Sequence, residues 1–274
     1  MQTGQFRAQK FESDAKQTVD DTLTIEAPLQ ININSRPFSI TMRTPGDDLH
    51  LVRGLLYTEN IYTLLTDNFS YQERVQPETN LPYSANFLTD STNIDGDFEN
   101  RRSILSVSSC GICGKKELTD LMSGGTKLRS NYKLSNQTLL TMFEKMNQKQ
   151  KTFNQSGGSH AAAAFADNGE LLNIKEDIGR HNAVDKVIGC LLSDKKIVQA
   201  RVLLISGRIS FEIVTKAFMA KIPILAAVSA PSSLAVKTAE QLGITLAAFC
   251  RNNRATIYSH ISRITEGNEE CLTI

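Results

Sequence analysis

The hydrophobic pattern in the first part of the chain predicts a hairpin followed by a helix. Apolar residues alternate with polar ones over positions 29–33 and 38–42, on both sides of Asn34-Ser35, which is typical of two paired strands. Asp47 is a candidate N-cap for the residues that follow. Their apolar positions recur at helical spacing: Leu49, Val52, Leu55 and Leu56.

The middle of the chain carries less pattern. Residues 66–100 are polar and predict only short strands and a long loop, whereas residues 102–108 are typical of a strand and 116–122 of a helix. A domain boundary is expected near Gly124-Gly125, ahead of an amphipathic helix over 135–150. We therefore predict an α/β protein with a smaller N-terminal α+β domain, residues 20–128, and a C-terminal α/β domain, residues 129–274.

The second half predicts a parallel sheet. A hairpin is expected over 160–175 and a helix after 179–182. From residue 201 onward apolar strands alternate with helices, which is typical of βαβ units with helices on both faces of a mainly parallel sheet. A last strand, 255–259, follows the loop at 251–254.

Three loops of this sheet suit an anionic ligand. Ligands bind outside the carboxyl ends of parallel strands, and the loops Ser206–Ser210, Ser229–Ser233 and Arg251–Arg254 all follow strands. Together they offer hydroxyls, small residues and three arginines, Arg208 among them, which favours a nucleotide-like ligand. Taken singly, Ser210 and Ser232 are ordinary N-caps and the arginines ordinary solvated side chains.

Two further features are candidate catalytic or ligand-binding sites. Residues 175–186 place seven ionisable side chains at a strand-to-helix junction, a density that tunes pKa values or binds a polar ligand. The alternative is a helix start with acidic residues near the positive end of the dipole, and Asp185 fits that alternative. His160, after the Gly157-Gly158 pair, is equally compatible with a structural and a functional role.

Composition and charge narrow the classes of function that this chain can have. The 274 residues are 41% hydrophobic and 22% charged, and the net charge is only +1, so no broad basic face for nucleic acid is expected. Neither a membrane span nor a signal core is recognisable, which predicts a cytoplasmic protein with no membrane partner. Five cysteines without scaffold-like spacing predict free thiols.

Cys110 and Cys113 form a CxxC pair with a glycine after each cysteine. A structural zinc site needs four ligands, and no second pair with suitable spacing exists, so no metal is expected. A zinc deaminase site would need a His-x-Glu motif, which this sequence lacks at His160. A thioredoxin-like dithiol would lie near the start of a βαβ unit, whereas the βαβ units here begin far downstream of Cys113. A persulfide carrier needs only an exposed thiol of low pKa, which Lys115 and Lys116 favour, but spacing alone leaves the choice open.

The sequence resembles the FdhD family, the formate dehydrogenase accessory sulfurtransferases, from about Glu26 to Ile264. The resemblance rests on the order of six segments: SSCGICGK, SGGSHAAA, EDIGRHNAVDKVIG, SGRISFEIVTKA, SAPSSLAVKTAE and FCRNNRATIYSH. It implies a cytidine-deaminase-like α/β fold without the zinc site and a homodimer. It also implies that sulfur passes from a cysteine desulfurase, through a persulfide, to the molybdenum bis-molybdopterin guanine dinucleotide cofactor before the cofactor is inserted into formate dehydrogenase.

Carried over by position, the resemblance makes Cys110 the persulfide-bearing residue and Cys113 its helper. It assigns the guanine dinucleotide to the segment from Phe249 to Arg254. That segment consists of Phe249, Cys250, Arg251, Asn252, Asn253 and Arg254; the loop argument adds Ser206, Arg208 and Ser229. The family commonly has a glycine where Asn252 or Asn253 stands.

The sequence therefore predicts a cytoplasmic, persulfide-transferring sulfurtransferase with the molybdenum cofactor as its bound substrate. Two alternatives stay open. One is a non-enzymatic chaperone that binds the cofactor during formate dehydrogenase maturation, with the cysteines as anchors or spectators. The other is a zinc site shared across a dimer.

Overall fold

The N-terminal strands form a long hairpin that stands out from the rest of the molecule. A computed structural model describes residues 2–13, 15–95 and 127–267. Strands β1 (Thr3–Glu12) and β2 (Ala15–Thr24) pair antiparallel along their whole length, and most of their side chains are exposed. Thr24 anchors the base of the hairpin through a 2.6 Å hydrogen bond between its hydroxyl and that of Ser156.

The N-terminal sheet confirms the predicted hairpin and helix. Strands β3 (Ala27–Ile33) and β4 (Arg36–Arg43) are joined by Asn34 and Ser35, both at positive φ. Helix α1 (Asp48–Thr58) follows, and β5 (Phe69–Gln76) and β6 (Leu81–Thr89) complete the sheet order β4-β3-β6-β5. One face of this sheet packs on α1 through a buried cluster that includes Leu29, Ile31, Leu51 and Leu56.

Asp47 occupies the predicted position before α1, but the prediction that its side chain caps the helix was wrong. Asp47 does precede α1, but its φ is 59° and its side chain caps no backbone N–H. Instead its carboxylate lies 2.6 Å from Nζ of Lys175, and its pKa is lowered by hydrogen bonds from His50 and Lys175. Asp47 therefore links the start of α1 to the second half of the chain.

A six-stranded sheet forms the second half. After the short β7 (Leu134–Ser135) and the helices α2 (Asn136–Lys149) and α3 (Lys151–Ser156), the sheet has the order β13-β12-β11-β10-β8-β9. Its remaining elements, in chain order, are β8 (His160–Phe165), β9 (Leu171–Asp177), α4 (Arg180–Ser193), β10 (Val202–Ile205), α5 (Phe211–Met219), β11 (Ile224–Ala227), α6 (Ser233–Leu242), β12 (Thr245–Arg251) and β13 (Arg254–Ser259). A short β14 (Ile264–Thr265) pairs with β7.

The sheet is mixed, so the prediction of a mainly parallel sheet was wrong. The neighbours β10, β11 and β12 are parallel as predicted, and β8 and β9 form the predicted antiparallel hairpin. However, β8 also runs antiparallel to β10, and β13 runs antiparallel to β12. The apolar runs in β8 and β10 look alike, because burial on both faces sets their composition and does not depend on strand direction. The prediction of helices on both faces is confirmed: α2 packs on one face and α4, α5 and α6 on the other.

The two halves meet where α1 crosses α4. A Cβ built on Gly54 would lie 1.9 Å from the carbonyl oxygen of Asp185, and one built on Gly189 would lie 1.9 Å from the carbonyl oxygen of His50. Only glycine permits this approach, so the backbones of the two helices are in direct contact. The position of α4 is therefore fixed from the N-terminal half.

Several predictions fall on residues outside those described. They are Cys110, Cys113, the strand at 102–108, the helix at 116–122 and the Gly124-Gly125 pair near which the domain boundary is expected. The division into 20–128 and 129–274 stays a prediction, as does the cytidine-deaminase-like arrangement. In the parts of the chain that the structure describes, no helix is long and apolar enough to cross a membrane.

Candidate functional site

Six strand ends of the six-stranded sheet meet at one edge, which we call the rim; the start of β13 is among them, because Arg254 pairs with Arg251 at the end of β12. The carboxyl ends of β10, β11 and β12 lie there because these strands are parallel. The start of β8 and the end of β9 join them, since His160 pairs with Asp177 in the register of those antiparallel strands. The rim thus brings together the three predicted loops, the ionisable junction and His160.

The first two loops are joined by backbone hydrogen bonds. The N–H of Ile209 donates to the carbonyl of Ala230 at 3.1 Å, and the N–H of Ser232 donates to the carbonyl of Ile209 at 2.9 Å. The hydroxyl of Ser206 accepts the N–H of Ala161 at 2.9 Å, which ties the first loop to β8. Arg208 is exposed above this framework.

The third loop is a tight hairpin that extends the rim. Phe249 has a φ of 54° and marks an irregularity in the pairing of β12 with β13; its N–H donates to the carbonyl of Ser229 at 3.2 Å. Asn252 and Asn253 form the turn between Arg251 and Arg254, with φ of 53° and 56°. Asparagine thus adopts the left-handed conformation that the glycine of the family pattern would favour.

Cys250 differs from its neighbours in the predicted nucleotide segment. Its side chain is 2% exposed and packs in the core cluster beneath the sheet, and burial raises the pKa of its thiol to about 12. In contrast, Arg251, Asn252, Asn253 and Arg254 are exposed. The Cys250 side chain therefore belongs to the core, unlike the exposed residues that follow it in this segment.

The two helix-start serines behave differently. The hydroxyl of Ser232 accepts the N–H of Ala235 at 3.1 Å, so Ser232 is the ordinary N-cap that the simpler interpretation predicts. Ser210 makes no side-chain cap to α5; its hydroxyl lies 3.2 Å from Nε2 of His181 at the start of α4. Ser210 therefore connects two helix N-termini at the rim.

Most of the ionisable junction is structural. Lys175 pairs with Asp47, and Asp177 pairs with Lys186 at 2.7 Å, both side chains of the second pair being fully buried. Glu176 accepts the N–H groups of Thr152 and Phe153 at the start of α3.

The helical part of the junction holds another buried pair. The carboxylate of Asp185 lies 2.8 Å from Nζ of Lys216 on α5, and it accepts a hydrogen bond from the hydroxyl of Thr58 on α1. Asp185 is thus more than a helix-start acid, because it holds three helices together. The other five ionisable side chains of the junction make these structural contacts, so Arg180 and His181 are the two that remain as candidate site residues at the rim.

The histidines of the rim are held neutral by their surroundings. Burial, with Arg180 as the next cause, lowers the pKa of His181 to about 4. Burial and the charges of Arg180 and Arg208 also lower the pKa of His160, against the opposing effect of Asp177. Near neutral pH the positive charge of this end of the rim therefore resides on the two arginines. Sequence reasoning named Arg180 within the junction but not as a site residue; its place directly after Gly179, at a helix start, was the available signal.

Metal ligands are not gathered here. Over residues 2–13, 15–95 and 127–267, the structure contains no cluster of three or more histidine, cysteine, aspartate or glutamate side chains suited to a metal ion. Cys190 and Cys250 are both buried free thiols. The rim is instead a set of hydroxyls, backbone groups and arginines, which is suited to anions.

The fold and the rim define an α/β protein whose mixed sheet has hydroxyls, backbone groups and arginines along one edge. The chain belongs to the FdhD/NarQ family, whose model matches residues 24–265. It is 39% identical over 265 residues to the sulfur carrier protein FdhD of Sulfolobus acidocaldarius, covering 96% of this chain and 99% of that one. It is 41% identical over 277 residues to the protein of the same name from Mycobacterium tuberculosis, with the same coverage.

A solved structure has the same fold. It is the crystal structure of a putative formate dehydrogenase accessory protein from Desulfotalea psychrophila. The TM-score is 0.76 with 22% sequence identity, and the match covers 97% of this chain and 100% of that one. This similarity supports the mixed α/β architecture described above.

Proposed function

We propose that this chain is a sulfur carrier that serves formate dehydrogenase maturation by persulfide transfer. The observation that carries the proposal is the near full-length identity, 39% to 41%, with relatives named sulfur carrier protein FdhD. Cys110 is the carrier and Cys113 its helper, in the only CxxC segment of the sequence. The reaction belongs to the cytoplasm, where free thiols persist, and the active form is a homodimer.

The first step is a thiolate exchange. The thiolate of Cys110 attacks the terminal sulfur of a persulfide on a cysteine desulfurase. The sulfur–sulfur bond of the donor breaks, the donor cysteine leaves as a thiolate, and Cys110 becomes the persulfide. This exchange is redox-neutral and needs no further reactant. Cys190 and Cys250 are unsuited to it, because burial raises their thiol pKa values to about 11 and about 12.

The acceptor of the sulfur is the molybdenum bis-molybdopterin guanine dinucleotide cofactor, bound as a substrate at the rim. Exposed polar side chains at the third loop suit its guanine nucleotide end, and the hydroxyls and backbone groups of the first two loops suit its phosphates. The residues proposed to bind it are Ser206, Arg208, Ser229, Phe249, Arg251, Asn252, Asn253 and Arg254, with the backbone of Cys250.

Sulfur mapping tests the carrier. The full chain is incubated with a cysteine desulfurase and cysteine, and the added sulfur is located by mass spectrometry of peptides under non-reducing conditions. Sulfur is expected on Cys110 in the wild type and is expected to be lost in Cys110→Ala. Cys190→Ala, which removes a buried thiol of raised pKa, is the matched control and should load normally.

A second assay separates carrier from chaperone. Formate dehydrogenase activity is measured in cells that depend on this chain. If the double variant Cys110→Ala, Cys113→Ala supports activity while Arg254→Gln does not, the chain binds and protects the cofactor and transfers no sulfur. Stoichiometric zinc in the purified protein would indicate the metal site shared across a dimer.

A further inference from the structure

The side chain of Arg180 carries a buried N–H that is unsatisfied in the part of the chain that the structure describes. Among the described residues, its Nε is shielded from solvent and has no hydrogen-bond partner. The carboxylates nearest in sequence are occupied elsewhere, since Asp177 pairs with Lys186 and Asp185 with Lys216. A buried N–H of a cation without a hydrogen-bond partner costs free energy, which points to a ligand that completes it.

The surroundings of Arg180 define a small site. A Cβ built on Gly207 would lie 3.3 Å from Cδ of Arg180 and 3.4 Å from Nδ1 of His160, so Gly207 lies against both side chains and a larger residue there would crowd them. Arg208 follows Gly207 directly and is exposed. Two carboxylates of the described residues lie at this end of the rim: that of Asp177, which pairs with Lys186, and that of Glu212, which lies 3.9 Å from Nε2 of His181.

We propose that Arg180, His160 and Arg208 form a phosphoryl-binding subsite around Gly207, at the β8–β10 end of the rim and separate from the hairpin at Asn252-Asn253. The two guanidiniums bind phosphoryl oxygens by charge-assisted hydrogen bonds. His160, being neutral, donates one hydrogen bond and adds no charge. The identification of the ligand as the diphosphate of the pterin cofactor rests on the proposed function, whereas the preference for a phosphoryl anion rests on these side chains.

A subsite here changes how the cofactor is held. The third loop follows β12, and the subsite lies between β8 and β10, with β11 between them in the sheet order. A ligand bound at both positions spans the rim across three parallel strands. The subsite therefore selects a long ligand with an internal anionic group over a free guanine base.

Calorimetry with inorganic pyrophosphate tests the subsite on the full chain at low salt. Arg180→Gln is expected to weaken pyrophosphate binding by about tenfold or more, as expected for the loss of a charge-assisted contact that is partly shielded from water. Arg180→Lys keeps the charge but loses the planar guanidinium, so its affinity for pyrophosphate should fall between those of the wild type and Arg180→Gln. Arg7→Gln, an exposed arginine on the N-terminal hairpin, removes the same charge and should bind as the wild type does.

Thermal unfolding supplies a second measurement and guards against misfolded variants. Without ligand, Arg180→Gln should melt at the same temperature as the wild type or higher, because it removes a buried N–H that is unsatisfied among the described residues. Pyrophosphate should raise the melting temperature of the wild type and not of Arg180→Gln. Should Arg180→Gln fail to fold, the reasoning about its unsatisfied N–H is refuted, and Arg208→Gln still tests the subsite by calorimetry.

The outcomes separate this subsite from the proposed function. Wild-type protein that binds no pyrophosphate at millimolar concentration, or Arg180→Gln that binds within about twofold of the wild type, overturns the subsite. Sulfur loading of wild-type Cys110 is measured on the same preparation. Loss of loading with intact pyrophosphate binding would overturn the carrier proposal and leave the subsite standing.

Discussion

The crossing of α1 over α4 predicts a large effect from a single methyl group. In Gly54→Ala the new Cβ would lie 1.9 Å from the carbonyl oxygen of Asp185 and 2.9 Å from the backbone nitrogen of Gly189. Carbon and oxygen in contact need about 3.5 Å, so the helices must separate by about 1.5 Å. Both contacts are to backbone atoms, which no rotamer change can relieve.

The magnitude follows from two opposing effects. Alanine in place of glycine stabilises a helix interior by about 0.5–1 kcal/mol. Overpacking of a well-packed contact costs about 1–3 kcal/mol, and a backbone clash lies at the upper end. We expect Gly54→Ala to lower the free energy of unfolding by ~2 kcal/mol and the melting temperature by at least ~4 °C. The separation of the helices also moves α4 and, with it, Arg180 at the rim.

Urea unfolding and thermal melting measure the effect. Lys237→Ala on the exposed face of α6 is the control, because it adds helix propensity without a contact, and its effect should be within about 0.5 kcal/mol. A Gly54→Ala protein as stable as the wild type would refute the close crossing. Gly189→Ala, which meets the carbonyl of His50 at the same 1.9 Å, should reproduce the loss.

Three further predictions concern buried ionisable groups. Lys216→Met leaves the carboxylate of Asp185 buried and unpaired and should lower the free energy of unfolding, measured in urea, by ~3–5 kcal/mol. Adding Asp185→Leu should restore most of this stability. A double variant no more stable than Lys216→Met would contradict this. His181 has its pKa lowered from 6.5 to about 4, so the unfolded state takes up this proton first, and stability should fall as the pH drops through that window. His181→Gln should flatten the dependence, and an unchanged slope would exclude His181 as its source. Cys190 and Cys250 should resist iodoacetamide at neutral pH in the folded protein and react in urea, because burial raises their pKa values; equal rates in both states would refute that.

Sequence patterns predicted the elements of the molecule better than their directions. The hairpin around Asn34-Ser35 and helix α1 were predictable because one face of each is buried and the other polar, which leaves a period in the sequence. The direction of β8 relative to β10 was not, because a strand buried on both faces carries no period that identifies its neighbours. The hairpin of β1 and β2 left little signal, since most of its residues are exposed and polar on both sides.

The composition of the rim was predictable, but the role of each charge was not. Loops after consecutive apolar strands had to meet at one edge wherever those strands were parallel, which brought Ser206, Ser229 and Phe249 together. Partners in the ionisable junction could not be foreseen, because Asp185 pairs with Lys216 from another helix. Only the folded arrangement separates these paired charges from Arg180, whose buried Nε has no hydrogen-bond partner among the described residues.

The two arginines at the β8–β10 end of the rim differ in exposure, and this has a kinetic consequence. Arg208 projects into solvent, where salt screens charge over about 8 Å under physiological conditions, so it contributes to the rate of encounter with an anion. Arg180 is partly buried and feels less screening, so it governs how long a bound anion stays. Added salt should therefore slow capture more than it hastens release, and the two rates can be altered by mutation one at a time.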